Sequence, residues 1–285
     1  MHITPHLGDR PIASIKPSGV QGWLRLLQGK LAPRYVPVIH ANLSALFNSA
    51  IDDERLSKNP CSAASVRLPA LDEGRVHPWT SEQVKALKTA LPARYRLLAT
   101  LAAGCGLRQG ELFALGVDDV DLKSEVVHVR RQVKLLGPHQ VFAPPKGRKT
   151  RDVPLPEKVA LAVTAYLEDY PAKTVGLPWQ TAEGVTREVP LLLSSRESGA
   201  LNRNYINRHV WKPALVGAGM LPTRQNGMHA LRHFYASVLL DAGESVRALA
   251  SYLGHADPGF TLRVYTHLMP ASEERTRRAI DRVLE

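Results

Sequence analysis

Apolar residues recur at helical intervals near the start of the chain, lose that rhythm, alternate like strands in the middle and return to short helical runs near the end. The stretch PSGVQGWLRLLQGK is amphipathic, after a beginning broken by Pro5, Gly8 and Pro11. From Pro33, RYVPVIHANLSALFNSAIDDERL carries Val38, Leu43, Leu46 and Ile51 on one expected face, and SKNP ends it. A period of about 3.6 residues puts such positions on the side that a helix buries. Periodicity lapses through CSAASVRLPALDEGRVHPWT, where turn-formers dominate. The division expected is a small helical module over residues 1–66, a linker over 67–78 and a larger domain over 79–285.

That larger domain opens on TSEQVKALKTAL, where Thr80 is a candidate N-cap and Gln83, three residues on, completes a capping box. RYRLLATLAAGCGL reads as an apolar helix running into glycines. SEVVHVRRQVKLL and QVFAPPKGRKTRDVPLP alternate and are rich in valine, which predicts a small antiparallel sheet with a basic turn between its second and third strands. EKVALAVTAYLEDY returns to helical period, DYPAKTVGLPWQ reads as a surface insertion around Trp179, and short helices separated by Gly and Pro follow from Asn202. The fold class expected is mainly α with a small antiparallel β-sheet, an α+β arrangement.

Composition narrows the function. At 44% apolar residues the chain can bury a core, and it contains neither a membrane-length apolar run nor an apolar leader, so a cytoplasmic protein is expected. Cys61 and Cys105 are too few for a disulfide framework or a zinc site. Lysine and arginine total 37 against 26 acidic residues, a net +11, which suits a polyanionic partner. With 6% aromatic residues, duplex binding fits better than base stacking on single strands.

Several short motifs could carry chemistry. In GLRQGEL, Arg108 and Glu111 are three apart and share a helical face; a guanidinium oriented by a carboxylate can clamp phosphate with parallel hydrogen bonds. HALRH sets His229 and Arg232 on one face, with His233 expected to point elsewhere. Gly254 should end a helix and fix His255 on a tight turn, before Asp257 and Pro258 start the next helix. PPKGRKTRDVPLP gathers Lys146, Arg148, Lys149 and Arg151 in one basic hairpin turn that could reach a DNA groove. Tyr265, ten residues after His255, would by itself be an ordinary buried tyrosine.

The order of these motifs (GLRQGEL, PPKGRKTRDVPLP, HALRH, then YLGHADPGFTLRVYTH) resembles the tyrosine recombinase, or phage integrase, family. The resemblance spans residues of about 78 to 270, and IHANLSALFNSAIDDERLSKNPC is similar to the end of that family's core-binding domain. It implies a recombinase catalytic domain preceded by a partial helical core-binding domain. It also implies a site-specific recombinase that cleaves and rejoins duplex DNA through a 3′-phosphotyrosyl intermediate, in integration or excision of a mobile element. By that resemblance Tyr265 is the nucleophile, Arg108 and Arg232 neutralise the phosphate, and Glu111 orients Arg108. His229 contacts the phosphate or helps take the tyrosine proton, His255 donates a hydrogen bond, and Lys146 protonates the departing 5′-oxygen, with Lys149 as its competitor. Arg148, Lys149 and Arg151 are expected to contact DNA.

No metal, ATP or other cofactor is implied, because the bond energy is kept in the phosphotyrosine. The partners implied are double-stranded DNA, three further copies in a homo-tetramer and an accessory DNA-bending or directionality factor, on the nucleoid. Ala279, Ile280, Val283 and Leu284 form a stripe in the tail that would dock on a neighbouring protomer. The stretch before PSGVQGW is shorter than a full core-binding domain plus an arm-binding domain would need. The alternatives left open are a type IB topoisomerase-like enzyme and a DNA-binding protein without turnover.

Overall fold

The structure, a computed structural model, describes residues 2–70, 77–255, 257–265, 277 and 280–281. The expected tail stripe therefore lies outside the described residues, apart from Ile280. The chain forms two compact units, Met1–Gly74 and Arg75–Glu285. Among the described residues no helix is long and apolar enough to cross a membrane.

The first unit contains α1 (Thr4–Leu7), α2 (Pro17–Gln28) and α3 (Val36–Asp52). Proline at the first position of α2 has its φ already set for the helix, and the helix buries Val20, Trp23, Leu24 and Leu27. On α3 the buried face is Val36, Ile39, Leu43, Phe47 and Ala50. The expected stripe is corrected here: Val38 and Leu46 are 51% and 56% exposed. The alternative face has the same period but includes Phe47, whose larger apolar area decides which side is buried. Asn59 ties the following loop to α3, donating to the Ser44 carbonyl and accepting from the Cys61 amide. Cys61 is buried in this core and Val66 packs on it, so the aperiodic stretch begins as part of the unit.

In the second unit α4 (Ser81–Ala90) carries both hydrogen bonds of the Thr80–Gln83 capping box. A 3-10 turn leads into α5 (Arg96–Cys105), an apolar helix that buries Leu97, Leu98, Leu101, Ala102 and Cys105 and packs against α4, α7 (Glu157–Asp169) and α10 (His229–Asp241). Between α5 and α7 lie α6 (Gln109–Leu112) and strands β1 (Val120–Asp121), β2 (Val126–Val129), β3 (Gln132–Leu136), β4 (His139–Ala143) and β5 (Arg151–Pro154).

The expected single sheet is corrected to two. β5 passes its predecessors to pair with β2 in the order β1-β2-β5, while β3 and β4 form a separate antiparallel hairpin. The basic turn thus joins two sheets rather than neighbouring strands. The supposed surface insertion is a third antiparallel hairpin, β6 (Lys173–Pro178) with β7 (Thr186–Leu191). It is fastened to β4 where the Gln180 amide donates to the Phe142 carbonyl at 2.7 Å. The remaining elements of the described residues are helical: α8 (Arg203–Tyr205) runs through a π-helical turn into α9 (Lys212–Gly217), followed by α10, α11 (Val246–Leu253) and α12 (Pro258–Tyr265).

Candidate active site

Helix ends build the centre of the site. The last carbonyls of a helix lack intrahelical partners and carry the negative end of its dipole, so they attract guanidinium groups. α5 and α11 end at Gly106 and Gly254, both with φ of 62°, a left-handed conformation that glycine adopts without a Cβ clash. Arg232 reaches from α10 to both ends: Nη1 donates to the Gly106 carbonyl at 2.6 Å and Nη2 to the Leu253 carbonyl. Arg108 donates to the Gly254 carbonyl at 3.3 Å, and Arg151 Nε to the Tyr252 carbonyl at 2.7 Å. A Cβ on Gly106 would lie 2.5 Å from the Tyr235 ring, which fixes a glycine there on steric grounds as well.

Glu111 sits beneath this cradle. Its carboxylate accepts from the Arg108 amide at 2.9 Å and from Arg108 Nη1 at 3.0 Å, so one side chain both starts α6 and aims the arginine. Burial pushes the Glu111 carboxyl up, but the hydrogen bonds and charge of Arg151 and then Arg108 outweigh it and hold it at about 2. The carboxylate is therefore ionised at neutral pH.

Arg232 is 1% exposed, and burial, followed by repulsion from Arg108, presses its guanidinium down to about 9. It remains charged at neutral pH. Its Nε is a buried donor without a partner among the described residues. Such an unmade hydrogen bond is costly and marks a place where an acceptor can gain. His255 stands beside it, with Nε2 3.2 Å from Arg232 Nη2 and Nδ1 2.7 Å from Thr261 Oγ1. Arginine can only donate, so Nε2 is the acceptor and the imidazole proton lies on Nδ1 toward Thr261. Burial, then the charges of Arg232 and Arg108, lower the His255 pKa to about 3.

Tyr265, on α12, is 2% exposed, with its hydroxyl 2.8 Å from Nδ1 of His233, the residue after Arg232. Burial raises the phenol to about 12, against the opposing pull of Arg232 and Arg108. His233 is thus a correction. It was expected to point away, yet it touches the candidate nucleophile. Its spacing of four from His229 was the available signal, since positions i and i+4 share a helical face. The two imidazoles meet edge to face, 4.7 Å between centroids. Withdrawal from solvent, then the charge of Arg232, lowers the half-buried His233 to about 4; crowding by surrounding protein and the charges of His233, Arg232, Arg108 and Lys146 lower His229 as well, although it opens onto solvent.

Lys146 and His229 line the same groove as Arg108, a concavity of about 950 Å3 whose walls also include Lys134, Arg203, Lys212 and Arg224. The Arg148 amide closes the basic turn on the Pro145 carbonyl at 2.8 Å, leaving Lys146, Arg148 and Lys149 exposed. Lys149 is not among the residues lining the groove. Arg151 departs from its expected place among the exposed loop cations. It is the first residue of β5, its side chain is 6% exposed, and its donors go to Glu111 and the Tyr252 carbonyl. The structure therefore brings together Arg108, Glu111, Arg232, His255 and Tyr265, sets Lys146 and His229 on the groove, and turns Arg151 inward.

Known proteins share this arrangement of sequence and fold. Residues 79–272 match the phage integrase family. The chain is 28% identical over 291 residues to a XerC-like tyrosine recombinase of Caldanaerobacter subterraneus subsp. tengcongensis, covering 91% of this chain and 69% of the relative. It is 32% identical over 241 residues to the tyrosine recombinase XerA of Thermococcus kodakarensis, 81% of this chain and 72% of that one. In fold it is similar to the Tn1549 transposon integrase solved in complex with transposon right end DNA, with a TM-score of 0.77 at 22% identity over 98% of this chain and 89% of the other.

Proposed function

The chain belongs to the phage integrase family, whose tyrosine recombinases break and rejoin DNA, and we propose that Tyr265 is its nucleophile and that Arg108 and Arg232 receive the scissile phosphate. The protein is a site-specific DNA recombinase. The observation that carries the assignment is the buried Tyr265 hydroxyl held 2.8 Å from Nδ1 of His233, the residue next to Arg232 in sequence, while Arg232 itself stands 3.2 Å from His255.

The reaction follows from the charges. Attack of the Tyr265 oxygen on phosphorus builds negative charge on the non-bridging oxygens, which Arg108 and the unpartnered Nε of Arg232 neutralise. The bond from phosphorus to the 5′-oxygen breaks and leaves a 3′-phosphotyrosyl link, and Lys146 gives its proton to the departing oxygen. Rejoining reverses each step with the 5′-hydroxyl of another strand. His229, on the groove, contacts the phosphate. His255 holds Arg232 before DNA arrives, and donates to a phosphate oxygen after moving its proton from Nδ1 to Nε2.

Duplex DNA is the substrate, attracted by the net +11 charge and by Arg148 and Lys149 on the turn. Four copies acting on two duplexes, an accessory bending or directionality factor, and a place on the cytoplasmic nucleoid complete the proposal. The first unit serves as a core-binding module that grips the duplex. The test is incubation with nicked duplexes tiled across the DNA flanking the gene, followed by denaturing gels. A covalent adduct lost in Tyr265→Phe supports the assignment. An adduct that persists in that variant overturns it.

A further inference from the structure

Cleavage requires the Tyr265 phenol to lose its proton in a place where burial holds that proton tightly. Arg108 and Arg232 can stabilise the resulting phenolate but have no lone pair to take a proton. Lys146 must arrive as an ammonium if it is to protonate the leaving oxygen. His229 opens onto the groove, and its ring meets that of His233 rather than the phenol. Among the described residues, one basic nitrogen is in contact with the reacting hydroxyl: Nδ1 of His233, at 2.8 Å.

We propose that His233 is a catalytic residue, the base that accepts the Tyr265 proton on Nδ1 as the phenol oxygen attacks phosphorus. This rests on the reading of Tyr265 as the nucleophile and adds the group that activates it. The Tyr265 O–H bond breaks and its proton passes to Nδ1, while the oxygen lone pair forms the new bond to phosphorus. The bond from phosphorus to the 5′-oxygen breaks with its electron pair, and that oxygen takes a proton from Lys146. On rejoining, His233 returns the proton to the tyrosine oxygen and Lys146 accepts the proton of the attacking hydroxyl.

The surroundings suit the task. His233 is packed against Tyr265 of α12 and lies one helical turn from His229 on α10, with Arg232 adjacent in sequence. Withdrawal from solvent and the charge of Arg232 keep the ring neutral at physiological pH, so a lone pair is available. The imidazolium formed during attack is repelled by Arg232 but gains from the phosphate, whose charge increases at that moment. General-base catalysis of this kind is typically worth about 100- to 10,000-fold.

The test measures single-turnover cleavage of a nicked duplex that the wild-type protein cleaves, using His233→Ala and His233→Gln. Glutamine can hold the Tyr265 hydroxyl but cannot take its proton near neutrality. Both variants are expected to bind duplex normally and to cleave about 100-fold or more slowly. Their rates should climb about tenfold per pH unit from pH 6 to 8, as phenolate forms unaided, where the wild-type rate is level. Free imidazole should accelerate His233→Ala. A substrate with sulfur in place of the 5′-bridging oxygen, whose leaving thiolate needs no proton, should rescue Lys146→Ala but not His233→Ala. Near-wild-type cleavage by His233→Gln overturns the proposal. So does a slow His233→Ala enzyme with a level pH profile and no response to imidazole, which would leave His233 a positioning residue. Failure of the underlying reading looks different: the wild-type adduct would then survive Tyr265→Phe.

Discussion

Arg151 and Glu111 meet as a two-pronged pair, with Nη1 and Nη2 of the arginine donating to the two carboxylate oxygens at 2.9 and 2.7 Å. The partners come from β5 and α6, and the arginine's remaining contact is the Tyr252 carbonyl near the end of α11. One buried cation thus joins the sheet, the turn that aims Arg108 and the helix that presents His255.

Arg151→Met removes one partner of a buried pair and leaves Glu111 dependent on Arg108 alone. Loss of about 3 to 5 kcal/mol is expected in denaturant unfolding, together with reduced covalent adduct formation. A variant as stable as wild type would contradict the bridging role of Arg151.

Arg148→Ala and Lys149→Ala should leave folding and chemistry largely intact, because both side chains are exposed on the turn. Each is expected to weaken duplex binding uniformly across sequences and to reduce the salt slope by about 1. Titrations at several salt concentrations check this. An unchanged slope in both variants would remove the loop from the DNA interface.

Lys146→Ala should slow cleavage by about 100- to 10,000-fold while Lys149→Ala does not, since Lys146 lines the groove with Arg108. Single-turnover assays of the two variants decide between these lysines. Equal defects would count against the assignment of the proton to Lys146.

Gly106→Ala is expected to cost about 2 kcal/mol or more, because φ of 62° is unfavourable for alanine and its Cβ would press on Tyr235. The Gly106 carbonyl that holds Arg232 would shift with it, so adduct formation should fall as well. Wild-type stability and cleavage would show that the α5 end is not fixed as described.

The half-buried histidines His233 and His255 make stability depend on pH. They are lowered to about 4 and 3, so between those values and about 6.5 the unfolded chain binds more protons than the folded one. Their contribution is full above about pH 6.5 and is lost as pH falls toward 4 and 3. Glu111 acts lower: its stabilisation is present above about 4.5 and disappears as pH falls toward 2. Urea unfolding at pH 7, 5.5 and 4.5 should show decreasing stability over the histidine window, less steeply in His233→Gln. A flat profile would mean that the imidazoles are not withdrawn from water.

By itself the sequence determined what neighbours along the chain can settle. Thr80 and Gln83 cap α4, Gly106 and Gly254 stop α5 and α11, and Arg108 meets Glu111 one turn away, all through contacts within a few residues. The ordered motifs identified the family and the set of charged side chains. Only the tertiary structure decided which of those side chains meet. Arg151 leaves the turn for Glu111, 40 residues earlier in sequence, because β5 crosses to β2, and His233 touches Tyr265 across 32 residues because α12 packs on α11, which packs on α10. On α3, two faces of equal period competed and packing chose the one bearing Phe47. The physical reason is common to these cases. Hydrogen bonds within a helical turn are encoded by spacing, whereas the partner of a buried charge or ring is selected by packed elements distant in sequence.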